Sequence, residues 1–178
     1  MIDRTAFFKA LKPSLFTKLT GLQVQGMEAV LDEWESQGYK DIRWLAYAFA
    51  TIYHETAQTM RPIKEKGGEK YLKSKPYYPY YGRDFCQTTW LDNYKKVKAF
   101  TGVDVVTNPD LIASLPMAAK VCLYFMANGL YTSKGFKNYF NSSVDDPLNA
   151  RRIINGTDKA AAIKGYYNLF LQALKTPS

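Results

Sequence analysis

Apolar residues recur at helical spacing along most of the chain, and polar capping residues divide this pattern into separate helices. No alternation of strand length persists, so we predict a mainly α fold with little or no β-sheet. The predicted helices run from Gln23 to Gln37, Asp41 to Thr56, Asp92 to Phe100, Pro116 to Ala127, Asp145 to Ile154 and Lys159 to Leu174.

The predicted helix from Asp41 to Thr56 is apolar almost all round, which is typical of a helix buried at the centre of a domain. Asp41 is a suitable N-cap because its carboxylate can accept from free backbone N–H groups. We therefore expect the side chains at the far end of this helix to emerge from the core.

The segment from Met60 to Tyr81 breaks the helical pattern with prolines, a Gly67-Gly68 pair and many lysines. It predicts a long irregular excursion, with room for a small hairpin, and loops of this length usually carry function. A turn is predicted at Asn108-Pro109, and neither a linker nor an internal repeat divides the chain. We expect one domain over residues 1–178.

Aromatic residues make up 15% of the chain, and 24 Lys and Arg against 16 Asp and Glu give a net charge of +8. Aromatic faces stack on sugars or nucleobases, and the positive charge predicts attraction to a polyanion. The lysines are scattered and no nucleic-acid-binding signature is present, so nucleic acid is the weaker alternative and we predict no such partner.

Cys86 and Cys122 lie far apart in unrelated contexts, which predicts two free thiols. Met1 to Arg4 lacks the basic and apolar start of a secretion signal, and the apolar run from Trp44 to Tyr53 is about half of a membrane span. We expect synthesis in the cytoplasm.

Glu55 lies at the end of the predicted central helix, where desolvation would favour its protonated form and suit it to donate a proton. Glu65 follows in the irregular segment and could face Glu55 across a groove. Inverting glycosidases need such a pair, with carboxyl groups about 6.5 to 9.5 Å apart. Glu69 is a rival for the second carboxylate, and nearby lysines would keep either one ionised.

His54 is the only histidine. A metal site or a catalytic triad would need partners that the chain lacks, so we predict no metal and no cofactor. We expect His54 to orient the loop or to contact a sugar.

Four motifs follow one another in the chain: His54-Glu55-Thr56; Tyr80-Tyr81-Gly82-Arg83; Gln87, Thr89 and Asn93; and Ile153-Ile154-Asn155-Gly156. Their order resembles glycoside hydrolase family 19, the chitinase-like hydrolases, and within it the compact phage and prophage endolysins. The likeness runs from about Leu19 to Leu174. The resemblance implies a lysozyme-like pair of helical lobes with a central cleft, forming a single catalytic domain with no separate wall-binding domain.

The resemblance also implies roles for individual residues. Glu55 matches the general acid, Glu65 matches the second carboxylate, and Thr89 matches the residue that positions the attacking water. The residues expected to bind substrate are His54, Tyr81, Arg83, Gln87, Asn93 and Asn155. For Arg83, the motif arginine, a structural role is an equal alternative.

Asp84 departs from the family pattern, which has glycine after the motif arginine. If that glycine has a positive φ, Asp is among the less costly replacements. If the backbone there approaches the sugar, Asp84 would narrow the cleft or weaken activity. Asp84 could also serve as a third acid.

The resemblance implies an endolysin that cuts peptidoglycan between N-acetylmuramic acid and N-acetylglucosamine, waiting in the cytoplasm of an infected host until its release to the wall. The alternatives are a chitinase and a non-hydrolytic wall-binding protein. We expect a monomer attracted to anionic wall or outer-membrane polymers. The last helix could touch a membrane, although an apolar stripe on a C-terminal helix more commonly reflects docking on the core.

Overall fold

A computed structural model describes residues 1–177, and within them the fold is mainly helical, as predicted. No strand occurs in this range, where the only β-type pairing is an isolated bridge between Phe140 and Asp145. The α-helices are α1 (Arg4–Ser14), α2 (Gly21–Gln37), α3 (Ile42–Glu55), α4 (Gly68–Lys73), α5 (Leu91–Thr101), α6 (Leu115–Asn128) and α7 (Ala160–Leu174). Short 3-10 helices cover Pro109–Ala113, Phe136–Asn138 and Asn149–Ile153.

Helix α3 is the buried centre of the fold, as its apolar sequence predicts. The Asp41 side chain caps it by accepting from the Arg43 backbone N–H, and every residue from 45 to 53 is buried. Helices α7 and α6 pack against it. His54 and Glu55, the last residues of α3, are the first of the helix to regain partial exposure. The core thus fixes the point at which Glu55 emerges.

The apolar side chains form two clusters, and α6 contributes to both. Cys122 and Met126 of α6 join the large cluster around α3 and α7, whereas Val121 and Phe125 join a smaller cluster with α5. The apolar stripe of α7 lies in the large cluster, so core packing accounts for it. None of the helices in residues 1–177 has both the length and the apolar character needed to cross a bilayer.

Three elements differ from the sequence prediction. Helix α1 was not predicted, and α4 forms one short helix inside the predicted irregular segment. The helix predicted from Asp145 is reduced to the 3-10 helix Asn149–Ile153, because Asp146 accepts from both the backbone and the side-chain amide of Asn149 and holds a tight local turn.

The prediction of two free thiols is wrong. Cys86 and Cys122 form a disulfide, with Cα atoms 5.8 Å apart. Thirty-six positions separate them in sequence, and only the packing of α6 against the turn after Asp84 brings them together. The bond links the segment that carries Gln87 and Thr89 to the helix shared by both apolar clusters.

Candidate active site

A cleft of about 480 Å³ opens where the end of α3 meets the segment from 63 to 90. It brings together five of the residues singled out in the sequence, namely His54, Glu55, Glu65, Gln87 and Thr89. Ala57, Ile63, Lys64, Lys66, Tyr77 and Trp90 complete the wall. Two carboxylates therefore face one groove, as the sequence predicts.

Glu55 is held from behind by Arg151. The Arg151 guanidinium donates to Glu55 Oε1 at 3.2 Å, and its Nε donates to the Asp158 carbonyl oxygen at 2.9 Å. Only 4% of the Arg151 side chain is exposed. Because a buried guanidinium has little freedom, this pair fixes the direction of the Glu55 carboxyl group and supplies a counter-charge that the sequence argument did not include.

Glu65 accepts hydrogen bonds at both of its carboxylate oxygens. Tyr77 Oη donates to Oε1 at 2.5 Å and the Gly82 backbone N–H donates to Oε2 at 3.3 Å. Burial and the bond to Glu65 raise the pKa of the Tyr77 hydroxyl, so it remains a donor at neutral pH. An acceptor-only carboxylate fits this arrangement.

Glu69, the rival second carboxylate, lies away from the cleft wall. It is mostly exposed on α4, with Lys64 Nζ at 3.2 Å and Lys73 Nζ at 4.0 Å from its oxygens. Of the two candidates, Glu65 is the one that shares the groove with Glu55.

The tight turn from Asp84 to Thr89 presents two predicted residues to the cleft. Gln87 has φ of +56° and its side-chain amide donates to the Ile63 and Asp84 carbonyl oxygens at 2.7 and 3.0 Å. Thr89 Oγ1 donates to the Gln87 carbonyl oxygen at 2.8 Å. The lone pairs of that hydroxyl remain available to accept from a water. A Cβ on Gly82 would lie 2.6 Å from Gln87 Oε1, which explains the motif glycine.

The other four predicted substrate-binding residues do not line this cleft. Arg83 is buried, donates to the Pro79 carbonyl oxygen and to Tyr94 Oη at 3.1 Å each, and stacks over the Tyr81 ring at 3.8 Å. Asn93 donates to the Thr89 carbonyl oxygen at 2.9 Å. Asn155 is exposed and its Oδ1 accepts from the Gly156 N–H. Their substrate-binding role stays a prediction, and the contacts that the structure gives them support the local fold.

Asp84 does not narrow the cleft, because its side chain is completely buried behind it. Its carboxylate accepts from the Thr88 backbone N–H at 2.7 Å and from Thr88 Oγ1 at 2.6 Å. Thr88 Oγ1 lies 2.7 Å from Tyr131 Oη. The residue has no positive φ, so this position requires no glycine for its backbone conformation. Burial raises the pKa of Asp84 to about 6.

Arg151, Tyr77 and Trp90 were missed in the sequence. Arg151 lies 96 positions from Glu55, and only its place beside the Ile153-Ile154-Asn155-Gly156 motif could have drawn attention to it. Tyr77 and Trp90 were counted among many aromatic residues, without a signal that separated them from the core.

The helices around this cleft are arranged as in the solved structures of family 19 chitinases. The structure of the class IV family 19 chitinase from Zea mays superposes with a TM-score of 0.64 at 20% identity, over 97% of this chain and 92% of that one. Chitinase C from Streptomyces griseus gives 0.64 at 20% identity, over 99% and 79%. A bacterial family 19 chitinase gives 0.61 at 22% identity, over 99% and 96%.

In sequence, the chain is 28% identical over 144 residues to an endochitinase of Arabidopsis thaliana. That match covers 75% of this chain and 48% of the relative, so the chain spans about half the length of the curated protein it matches. No protein-family model matches the chain. The fold is shared with family 19 chitinases.

Proposed function

We propose that this chain is a glycoside hydrolase of the family 19 type that cuts a β-1,4-linked aminosugar polymer by inversion. The observation that carries the proposal is the shared cleft, in which Glu55 and Glu65 face one groove beside Thr89. The fold supports it, and the two carboxylates come from separate structural supports, the end of α3 and the irregular segment after it.

In this mechanism Glu55 protonates the glycosidic oxygen and Glu65 removes a proton from the attacking water. Arg151 fixes the direction of the Glu55 carboxyl, and the donors Tyr77 and Gly82 hold Glu65 as an acceptor. The Thr89 hydroxyl accepts from the water and orients it. The chemistry needs two carboxyl groups in different protonation states, and no metal or cofactor takes part.

We further propose bacterial peptidoglycan as the polymer, cut between N-acetylmuramic acid and N-acetylglucosamine as by an endolysin. Charge supports this choice. The chain carries +8, and Lys64 and Lys66 line the cleft itself. Peptidoglycan carries carboxylates on its peptide stems whereas chitin is uncharged, so the positive charge of the chain and the two lysines at the cleft favour the wall polymer.

Chitin is the second candidate, because the solved structures that share the fold and the curated relative are described as chitinases. Both polymers have the same β-1,4 aminosugar backbone, and the same acid, base and water would cleave either.

The test is parallel digestion of purified peptidoglycan and a soluble chitin oligomer, with reducing-end assay and mass spectrometry of the products. We expect the wild type to release new reducing N-acetylmuramic acid ends. In Glu55→Gln the rate of this release should fall roughly 100 to 10,000-fold. Because the Gln carbonyl can still accept from Arg151, we expect the variant to fold. Thermal unfolding checks this. Wild-type rates in Glu55→Gln would contradict the assignment.

Glu69→Gln is the matched control, because Glu69 lies on the same segment but outside the cleft wall. We expect it to keep activity while Glu65→Gln loses it. The opposite result would transfer the role of base to Glu69. Products from chitin alone would establish the second candidate. If sacculi bind the protein without release of reducing ends, the chain is a wall-binding protein.

A further inference from the structure

Trp90 is the most conspicuous residue of the cleft that the mechanism leaves unused. It lines the wall beside Glu65, yet 51% of its surface is exposed. A tryptophan is normally most useful when its large apolar surface is buried. Leaving half of it in water, in a groove, forgoes that stabilisation.

The backbone of Trp90 adds a second cost. It has φ of +80° and ψ of 143°, a conformation that bulky L residues rarely adopt and that glycine tolerates. The surrounding fold holds it there, since the Trp90 N–H donates to the Tyr80 carbonyl oxygen at 2.8 Å and its own carbonyl accepts from the Asn93 N–H at 3.1 Å. Strain of this kind concentrates at functional sites.

The indole ring is braced in place. The Tyr77 ring meets it edge-on, with centroids 5.4 Å apart and planes at 70°. Tyr77 in turn donates to Glu65. A single aromatic residue therefore fixes both the candidate base and the Trp90 ring, so the two keep a constant relation to each other.

From these observations we propose that Trp90 is a stacking platform for one pyranose ring of the polymer, next to the bond that is cut. The inference rests on the proposed function and deepens it. The C–H face of a sugar ring is apolar and matches an aromatic face, while its hydroxyls remain free for the polar groups of the groove. Binding buries the exposed part of the indole, which offsets the strain of its backbone.

The decisive variant is Trp90→Gly, which removes the ring and relieves the strain together. We expect KM for the polymer that the wild type cleaves to rise roughly fivefold to tenfold, with a smaller change in kcat. We also expect the midpoint of thermal unfolding to stay level or rise. Trp90→Phe, which keeps a smaller ring, gives an intermediate KM. Tyr71→Ala removes an exposed aromatic outside the cleft and leaves KM unchanged.

Fluorescence gives a readout that a structural role would not move. Trp34 is 5% exposed and the Trp44 indole N–H donates to the Phe140 carbonyl oxygen, so Trp90 is the indole most open to solvent. In the Glu55→Gln background, a soluble oligomer of the same polymer should shift the emission to the blue and reduce quenching by acrylamide. Both effects should vanish in Glu55→Gln with Trp90→Phe.

Two failures are distinguishable. If the wild type hydrolyses the polymer but Trp90→Gly keeps its KM, or if that variant unfolds at a clearly lower temperature, Trp90 is structural and the inference is overturned while the proposed function stands. If the wild type neither binds nor cleaves peptidoglycan or chitin, both proposals fall together.

Discussion

The Asp84 carboxyl group is completely buried, and its surroundings explain how an acid is tolerated there. It accepts two hydrogen bonds from Thr88, whose hydroxyl also contacts Tyr131. These bonds hold the turn that presents Gln87 and Thr89 to the cleft. Burial nevertheless disfavours the charged form and raises the pKa of Asp84 to about 6.

This raised pKa predicts a pH-dependent stability. An unfolded Asp titrates near 3.9, so between about pH 4 and pH 6 the folded state binds more protons, and the free energy of unfolding falls as pH rises through that window. Asp84→Asn stays neutral and can still accept from the Thr88 N–H. We measure the free energy of unfolding in urea at pH 4 and at pH 6.5. Between these values it should fall by roughly 2 to 3 kcal/mol less in the variant than in the wild type.

Other carboxylates titrate equally in both proteins, so the difference between the two curves isolates Asp84. Parallel curves over this range would mean that Asp84 is ionised with its usual affinity for protons, against the burial described above.

Residue identity in the sequence indicated which groups would meet in the cleft, but not the direction of each side chain. Glu55, Glu65 and Thr89 line the same groove, as the motifs that carry them indicated. Arg83 and Tyr81 belong to the same motif, yet they stack on each other inside the protein. Arg151 could not be placed from sequence, because its contact with Glu55 depends on how distant elements pack.

At the scale of elements, helices with a clear cap and a continuous apolar pattern were predictable. Helices α2, α3, α6 and α7 begin and end within two residues of their predicted limits. Elsewhere the prediction was wrong because of local side-chain hydrogen bonds. Asp146 accepts from the Asn149 N–H, and a tight turn forms where a helix was predicted. Helix α1 has just two buried apolar residues, Phe7 and Leu11, and Pro13 near its end, which leaves little periodicity to detect.

The turn that follows α3 is clamped against α2, and Gly26 makes this possible. A Cβ on Gly26 would lie 1.8 Å from the Met60 carbonyl oxygen, which is backbone and cannot swing away. Gln23 adds a hydrogen bond to the Gln58 carbonyl oxygen at 3.0 Å. Because Glu55 lies just before this turn, the close approach of α2 helps fix the site.

Gly26→Ala should therefore destabilise the protein by about 1 to 2 kcal/mol, because overpacking of up to about 3 kcal/mol outweighs the gain of about 1 kcal/mol in helix propensity. Urea unfolding measures the change. Gly165→Ala is the matched control, since nothing lies within 4 Å of a Cβ at that exposed position in α7. We expect the control to be slightly more stable than the wild type, and equal stability of both variants would contradict the clamp.

At the scale of the whole molecule, the two apolar clusters share a helix. Neighbouring residues of α6 face opposite clusters, with Cys122 in the large one and Val121 in the small one. The disulfide from Cys122 to Cys86 joins the same helix to the segment that lines the cleft. Neither cluster can lose its packing without exposing a face of α6.

Because the two clusters share this helix, the molecule should unfold as one cooperative unit and not one cluster at a time. We expect equal calorimetric and van't Hoff enthalpies and coincident transitions by far-ultraviolet circular dichroism and tryptophan fluorescence. Two separate transitions would show that the clusters are independent. Cooperativity of this kind means that neither cluster is a folding unit by itself. A fragment that contains the elements of one cluster alone should therefore be expressed as unfolded chain.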